Sequence, residues 1–278
     1  MEKRKSEKLK SRTVSSWHSV KNHFLLLKEY TKIHLSTAME YKFNFIIQSI
    51  SMIINDFMWL IFWWIFLTKF NSINSWQMND MIMLLSVVTF SFGLSGFIFG
   101  NKGKIAEIIA EGRLDFYLNL PKNELFHVLV SRSSWFAIGD IIFALLLGLI
   151  AFELWQWPIF FFLCTISMIT LTAFSIIVGS LGFYWGNAQE TARSLNLGMI
   201  SFASYPITVF KGFARIILFT VIPAGFVSSV PVQLIKSFDL KLALLLIAVA
   251  LLFLTIAIFV FRNGLKKYES GSMITVRV

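Results

Sequence analysis

The sequence predicts an all-α integral membrane protein with six transmembrane helices and both termini in the cytoplasm. Three observations support this fold class. Of the 278 residues, 56% are hydrophobic, 16% are aromatic and only 14% are charged, a composition unlike that of a soluble domain. The apolar residues gather in runs close to the ~20 residues that cross a bilayer. Basic residues flank both ends of the apolar region, as they do in cytoplasmic segments of membrane proteins.

Residues 1–42 are expected to form a basic cytoplasmic N-terminus. Its first dozen residues have the composition of a disordered segment. From about Val20 onward, apolar residues such as Leu25 and Ile33 alternate with Lys and His, which predicts an amphipathic helix on the membrane surface. A solvated positive flank that only fixes the topology is an equally good interpretation.

Residues 43–262 are expected to form a single transmembrane domain, followed by a cytoplasmic tail over 263–278. The predicted spans cover about 43–67, 80–99, 134–152, 159–185, 195–210 and 240–261. The Lys and Arg distribution decides the number of crossings, because a seventh crossing would place Arg262, Lys266 and Lys267 outside. The apolar segment 211–236, broken by Pro223, is therefore predicted to be an outer-side re-entrant or interfacial hairpin, covered by other helices or by a partner subunit.

The loop 101–132 is the longest polar interruption between apolar segments, and it is patterned. Apolar residues at helical spacing predict two short helices, with Ile105, Ile108 and Ile109 in the first and Leu114 and Leu118 in the second. Gly112 can end the first helix in the left-handed conformation, and Pro121 stops the second. Asn123 is suited to cap the helix that follows.

Soluble-enzyme chemistry has little support in this sequence. Residues 100–105 are the nearest match to a phosphate-binding loop, but they lack its upstream Gly and the hydroxyl after Lys, so we expect no ATPase in this chain. The histidines, His18, His23, His34 and His127, lie in polar segments without a pair of cysteines, and Cys164 is the single cysteine. We therefore predict no metal site, no cofactor and no catalytic residues. The net charge of +10 indicates cytoplasmic loops that face anionic lipid, and no nucleic acid partner is expected.

Polar residues inside the predicted spans are candidates for function. Asn55 and Asp56 fall near the middle of the first span, and Asp140 falls inside the third. Charges at such positions are costly and commonly face a bundle interior or a wet cavity. They could line a translocation path, or they could hold helices together, with Arg132 or Arg193 as a partner of Asp140. Both interpretations stay open.

Three motifs occur in order along the chain, and together they resemble an ABC-2 type permease, the membrane half of an ATP-binding-cassette exporter, in its six-span branch. The motifs are Gly112-Arg113-Leu114-Asp115 with Leu118 and Pro121; Gly186-Asn187-Ala188 with Glu190; and Tyr205-Pro206 followed by Arg215-Ile216-Ile217, Ile222-Pro223-Ala224-Gly225 and Pro231. The topology resembles that of the family from about Lys21 to Lys267.

The resemblance implies two permease subunits, identical or paralogous, with two copies of a separate cytoplasmic ATPase that binds ATP and Mg. It implies a connecting helix over residues 20–42 and a coupling helix in loop 101–132 that contacts the ATPase. It also implies a multi-pass protein of a bacterial cell membrane. The aromatic-rich spans favour an amphipathic or hydrophobic substrate.

Alternatives exist at two levels. The chain could be an ATP-independent channel or secondary carrier that uses Asp56 and Asp140, or a non-transporting scaffold. The turn at Arg113, Leu114 and Asp115 could sit in a groove of the ATPase, or it could lie on lipid headgroups with Arg113 on phosphate.

Overall fold

The computed structural model describes residues 25–70, 72–120, 123–186 and 188–269. Within these residues 83% of the structure is helical and no strand occurs. The predicted disordered N-terminus, the first residues of the predicted amphipathic helix, Pro121, Asn187 and the last residues of the tail lie outside the described residues.

The described α-helices follow one another with short connections. They are α1 (25–40), α2 (Lys42–Phe70), α3 (Met78–Ile98), α4 (Ile105–Ala110), α5 (Leu114–Leu118), α6 (Glu124–Val130), α7 (Ile138–Ala151), α8 (Trp157–Gly179), α9 (Ala188–Ala203), α10 (Gly212–Thr220), α11 (Ala224–Val227), α12 (Ser229–Lys236) and α13 (Leu240–Leu265). Single 3₁₀ turns connect several of them, at Lys102–Lys104, Trp135–Ala137, Leu154–Gln156, Ser180–Phe183 and Ile207–Val209.

The described residues contain four helices that are long and apolar enough to cross a membrane: α2, α3, the helical stretch Leu154–Phe183 around α8, and α13. Two bent pairs would raise the number to six if each is one span. The first joins α6 to the stretch Trp135–Ala151 at 66°, and the second joins α10 to the stretch Ala224–Lys236 at 62°. The second pair falls in the segment for which the sequence predicts an outer-side hairpin, and a bent pair fits either a broken span or a re-entrant loop.

The predicted fifth span over 195–210 is not a continuous helix. The helix in this region, α9, begins at Ala188 and ends at Ala203, and it is not among the candidate spans of the described residues. It ends there because the ring of Pro206 disfavours helical backbone at Tyr205 and its nitrogen cannot donate a helical hydrogen bond.

The bundle is built around α3 and α8, which pack against each other; α7 covers α3 and α13 covers α8. Buried hydroxyls reinforce these contacts: Ser86 of α3 donates to the carbonyl of Ala144 in α7 at 2.8 Å, and Ser95 of α3 lies 2.8 Å from the hydroxyl of Thr172 in α8. The apolar windows of α3 and α8 are 67% and 72% buried, whereas that of α2 is only 11% buried. Most of α2 therefore faces away from the bundle, towards lipid or a partner.

Within loop 101–132 the two short helices, the turn at Gly112 and the cap at Asn123 are confirmed, whereas Pro121 lies outside the described residues. Gly112 has φ of 70°, in the left-handed region that follows the end of α4. The second short helix is α5, and the side chain of Asn123 caps α6 by accepting from the backbone N–H of Phe126 at 3.0 Å.

Candidate functional site

The tip of loop 101–132 is a compact turn closed by ion pairs. Arg113 bonds to Glu107 at 2.8 Å and also to Glu111, so it ties the beginning of α5 to α4. Leu114 is completely buried, whereas Phe116 and Leu118 are 64% and 42% exposed. Leu114 therefore anchors the tip inside this chain, and Phe116 and Leu118 form its exposed apolar surface.

The end of the chain that follows α13 also reaches the tip. The hydroxyl of Tyr268 lies close to Asp115, and burial together with this acidic neighbour raises the pKa of Tyr268 to about 12. Asp115 thus interacts electrostatically with the C-terminal segment and is not a free surface acid.

Two glycines let α4 approach the end of α8 without intervening side chains. A Cβ atom added at Gly179 would lie 2.7 Å from Cβ of Ile105, and one added at Gly182 would lie 3.1 Å from Cα of Ala106. Gly100 is equally crowded, because a Cβ there would collide with the carbonyl oxygen of Arg132. The loop is thereby packed closely at both of its ends, and along α4 it lies directly against the end of α8.

Helix α1 packs on the far side of this loop. The hydroxyl of Tyr30 lies 3.3 Å from Nδ1 of His127, and the backbone N–H of Ser133 donates to Nδ1 of His34 at 3.3 Å. Burial lowers the pKa of His34; the backbone of Ser131 opposes this shift and Arg132 adds to it. The contact with Ser133 requires neutral His34, which the lowered pKa favours.

The intramembrane acids come together. Asp56 of α2 and Asp140 of α7 lie within hydrogen-bonding reach of each other. The approach is allowed by Gly139, where a Cβ would collide with the backbone carbonyl of Ser49 in α2. Asn55 points the other way, onto the exposed face of α2.

The basic residue that interacts electrostatically with Asp140 is neither of the expected partners. Lys102, in the 3₁₀ turn after α3, interacts electrostatically with Asp140, and among the described residues neither Arg132 nor Arg193 forms an ion pair with it within 4.0 Å. The Lys102 side chain is 91% buried, its Nζ lies 4.7 Å over the ring of Phe92, and no described group accepts a hydrogen bond from it. Burial lowers the pKa of Lys102 from 10.5 to about 7, and the Asp140 carboxylate partly opposes the shift.

Sequence reasoning did not single out Lys102 as a candidate residue. In the sequence, residues 100–105 around Lys102 stood out only because they nearly match a phosphate-binding loop. Its proximity to Asp140 depends on the 3₁₀ turn that folds residues 102–104 back against α8 and α9, and no sequence period reports such a turn.

Lys102 and Asp140 line a cavity of about 650 Å³ behind the loop. The cavity lies between α3, α4, α7, α8 and α9. Its charged lining residues are Lys102, Lys104, Glu107, Glu111, Arg132, Asp140, Glu190 and Arg193, and its larger apolar ones are Phe92, Phe136, Leu171, Leu197, Met199 and Ile200. Ser175 donates to Asn196 at 2.6 Å in the same wall, which joins α8 to α9. The cavity thus combines a charged lining with an apolar wall.

A family model described as ABC-2 family transporter protein matches residues 52–272. The chain belongs to this family. No curated protein and no solved structure matches this chain with significant similarity. The match spans the candidate transmembrane helices α3, α8 and α13, most of α2, loop 101–132 and the cavity behind it. It makes the chain a multi-pass membrane transport component.

The outer-hairpin residues predicted from the sequence occupy a second polar region of the ABC-2 permease. Tyr205 packs edge-on against Trp59 and Trp63, at ring distances of 5.6 and 5.4 Å, which holds the break after α9 against α2. Pro223 is the N-cap residue immediately before the short helix α11. Arg215 lies 6.0 Å from the ring of Phe219.

This region contains its own ion pair. Asp80 at the start of α3 binds Lys236 at the end of α12 at 2.6 Å. Arg215, Asp80 and Lys236 line a cavity of about 320 Å³ there. The pair fixes the second half of the hairpin to the bundle.

Proposed function

We propose that this chain is the transmembrane subunit of an ABC exporter, which moves an amphipathic or hydrophobic substrate out of the cytoplasm or the inner leaflet. A separate cytoplasmic ATPase would supply the energy, and two permease subunits, identical or paralogous, would pair with two ATPase subunits. Both termini and loop 101–132 would face the cytoplasm. The observation that supports this proposal is the loop, a rigid element with an exposed apolar tip that packs directly on the bundle.

The geometry suits the transmission of a push. Closure of the ATPase against Phe116 and Leu118 would act on α5, and the Arg113 ion pairs would carry the force to α4. From α4 the force would reach α8 through the contact between Ile105 and Gly179, which leaves no soft side chain between the two helices. Close-packed interiors transmit strain because they have little free volume.

The predicted coupling residues take different roles in this proposal. Gly112 provides the left-handed turn and Pro121 would end the tip, whereas Leu114 supports the tip from inside. Asp115 connects the tip to Tyr268. Direct contact with the ATPase would fall to Phe116 and Leu118, because these are the apolar side chains that the tip exposes.

The test is co-purification with a cytoplasmic ATPase subunit, which would be sought first among the neighbouring open reading frames. Phe116→Asp and Leu118→Asp place a charge in the proposed contact, and each should weaken co-purification of the ATPase by roughly tenfold or more, as expected for an interface anchor. Leu154→Asp is the matched control, because Leu154 is 90% exposed in the turn between α7 and α8, at the other end of the bundle from the loop. Retention of full ATPase assembly and transport by both tip variants would exclude this loop as the coupling element.

The meeting of Asp56 and Asp140 favours one alternative, an ATP-independent channel or secondary carrier. Two adjacent carboxyls in a bundle can take up and release a proton or a cation. The purified permease reconstituted alone discriminates the two functions. Ion-gradient-driven uptake that Asp56→Asn and Asp140→Asn abolish would establish the carrier function. An exporter subunit without its ATPase would show no uptake.

A further inference from the structure

We propose that the cavity behind loop 101–132 binds the anionic headgroup of an amphiphilic molecule, and that Lys102 recognises the anion. This inference depends on the proposed function in one respect, namely that the bound ligand is the transported substrate. Binding itself is a property of this chain and does not require the ATPase.

Lys102 is the first reason to expect an anion. An ammonium group that is removed from water and not hydrogen-bonded is costly, since its donors lose hydration without replacement. The ring of Phe92 offers Lys102 a weak contact at 4.7 Å, and Asp140 is not within ion-pair distance of it. A phosphate, sulfate or carboxylate in the cavity would accept the hydrogen bonds that Nζ does not make within the chain.

The charge distribution of the lining is the second reason. Glu107 and Glu111 both bond to Arg113 on the tip, so one of their two negative charges is compensated outside the cavity and one is left. Asp140 lies within hydrogen-bonding reach of Asp56, and two carboxyls can share a hydrogen bond only when one of them is protonated. Against these acids and Glu190, the cavity presents four bases: Lys102, Lys104, Arg132 and Arg193. The uncompensated charge is therefore positive.

The apolar wall argues for an amphiphile rather than a small free anion. Leu171 and Ile200 line the cavity together with Leu197, which is 57% exposed on α9 and so marks an open edge. A volume of about 650 Å³ is several times that of a phosphate ion and falls within the range of small-molecule sites. A headgroup at Lys102 would leave room for an alkyl chain directed along α9.

Isothermal titration of the full-length permease, in neutral maltoside detergent and without the ATPase, tests the proposal. The probes are octyl phosphate, octyl glucoside, octyltrimethylammonium and inorganic phosphate, each measured against a blank of empty micelles. We expect saturable binding of octyl phosphate at least roughly tenfold tighter than that of the other three. Equal affinity for the neutral or cationic probe would overturn the anion assignment, and equal affinity for inorganic phosphate would overturn the amphiphile assignment.

Variants locate the site. Lys102→Met keeps the length and removes the charge, and it should weaken binding of octyl phosphate by roughly tenfold or more, whereas Lys102→Arg should keep most of it. Lys241→Met is the matched control, because Lys241 is an exposed base at the start of α13 and outside the cavity. Unchanged binding by Lys102→Met would refute the role of Lys102. If that variant does not fold, the selectivity of the wild type among the probes still decides the proposal.

Binding and coupling can fail separately. If Phe116→Asp keeps ATPase assembly while octyl phosphate still binds at Lys102, the assignment of the loop as the coupling element fails and the assignment of the cavity as a binding site is supported. If octyl phosphate does not bind and the tip variants lose the ATPase, the permease function stands and the cavity inference fails.

Discussion

Replacement of Lys102 by Met should stabilise the protein below pH 7, and the gain should shrink as the pH rises. The substitution removes a buried charge and leaves an apolar side chain of similar length beside Phe92. Replacement of buried charges by well-packed apolar groups is commonly neutral or stabilising. The dependence on pH is the distinctive part, because cavity filling or repacking alone would give a constant difference.

The sign follows from proton binding. Burial lowers the pKa of Lys102 from 10.5 to about 7 in the folded protein, and the unfolded chain restores the higher value. Below pH 7 both states are protonated, and folding carries the whole cost of burying the charge. Between pH 7 and 10 the unfolded state binds a proton that the folded state has released, so wild-type stability rises by about 1.4 kcal/mol per pH unit. Over this interval the advantage of Lys102→Met should fall by about 4 kcal/mol, or ~10 °C in Tm.

Thermal unfolding in maltoside detergent, followed by tryptophan fluorescence from pH 6 to 10, provides the measurement. Lys241→Met serves as the exposed control and should show no such trend. A second comparison removes the neighbouring carboxylate from both proteins: the single variant Asp140→Asn is compared with the double variant that carries Asp140→Asn and Lys102→Met. A difference between Lys102→Met and wild type that stays constant across the range, or grows towards pH 10, would refute the buried, uncompensated lysine.

Two further predictions concern coupling and topology. Gly179→Val should push α4 away from α8, which should cost about 1–3 kcal/mol of stability and lower substrate-stimulated ATP hydrolysis. Gly186→Val is the control, because a Cβ at Gly186 meets nothing within 4 Å, and it should leave stability and hydrolysis unchanged. Normal hydrolysis in Gly179→Val would contradict the direct α4–α8 contact as the route of coupling. In a Cys164→Ala background, Asn74→Cys should react with an impermeant maleimide from outside and Glu269→Cys should not, and external labelling of the latter would establish an odd number of crossings.

Sequence reasoning was sufficient where local chemistry decides the backbone. The left-handed turn at Gly112 and the cap at Asn123 each depend on one residue and its nearest neighbours along the chain, so composition and spacing predict them. The same holds for the long apolar helices α3, α8 and α13, whose length and hydropathy are themselves the requirement for crossing a membrane.

It was insufficient where a boundary depends on competing local effects. The apolar content of 195–210 suggested a span, but hydropathy does not register that Pro206 interrupts the backbone, and the helix formed earlier in the chain instead, from Ala188 to Ala203. Leu114 illustrates the second limit. Spacing places it and Leu118 on one short helix, yet only packing against the bundle decides that Leu114 is inside and Leu118 outside.

For a related reason, the sequence could not predict which charged residues distant in the chain lie close together. Asp56 and Asp140 are on helices that meet where Gly139 removes a side chain, and Lys102 interacts electrostatically with Asp140 from a turn on the loop itself. Lys102 is joined to α4 through the short turn 102–104, and α4 is packed on α8 at Gly179. A displacement of α4 would therefore change the distance between Lys102 and Asp140, and in a poorly solvated interior such a change alters the electrostatic energy far more than it would in water. Movement of the loop and the charge state of the cavity are thus physically linked, whichever ligand the cavity holds.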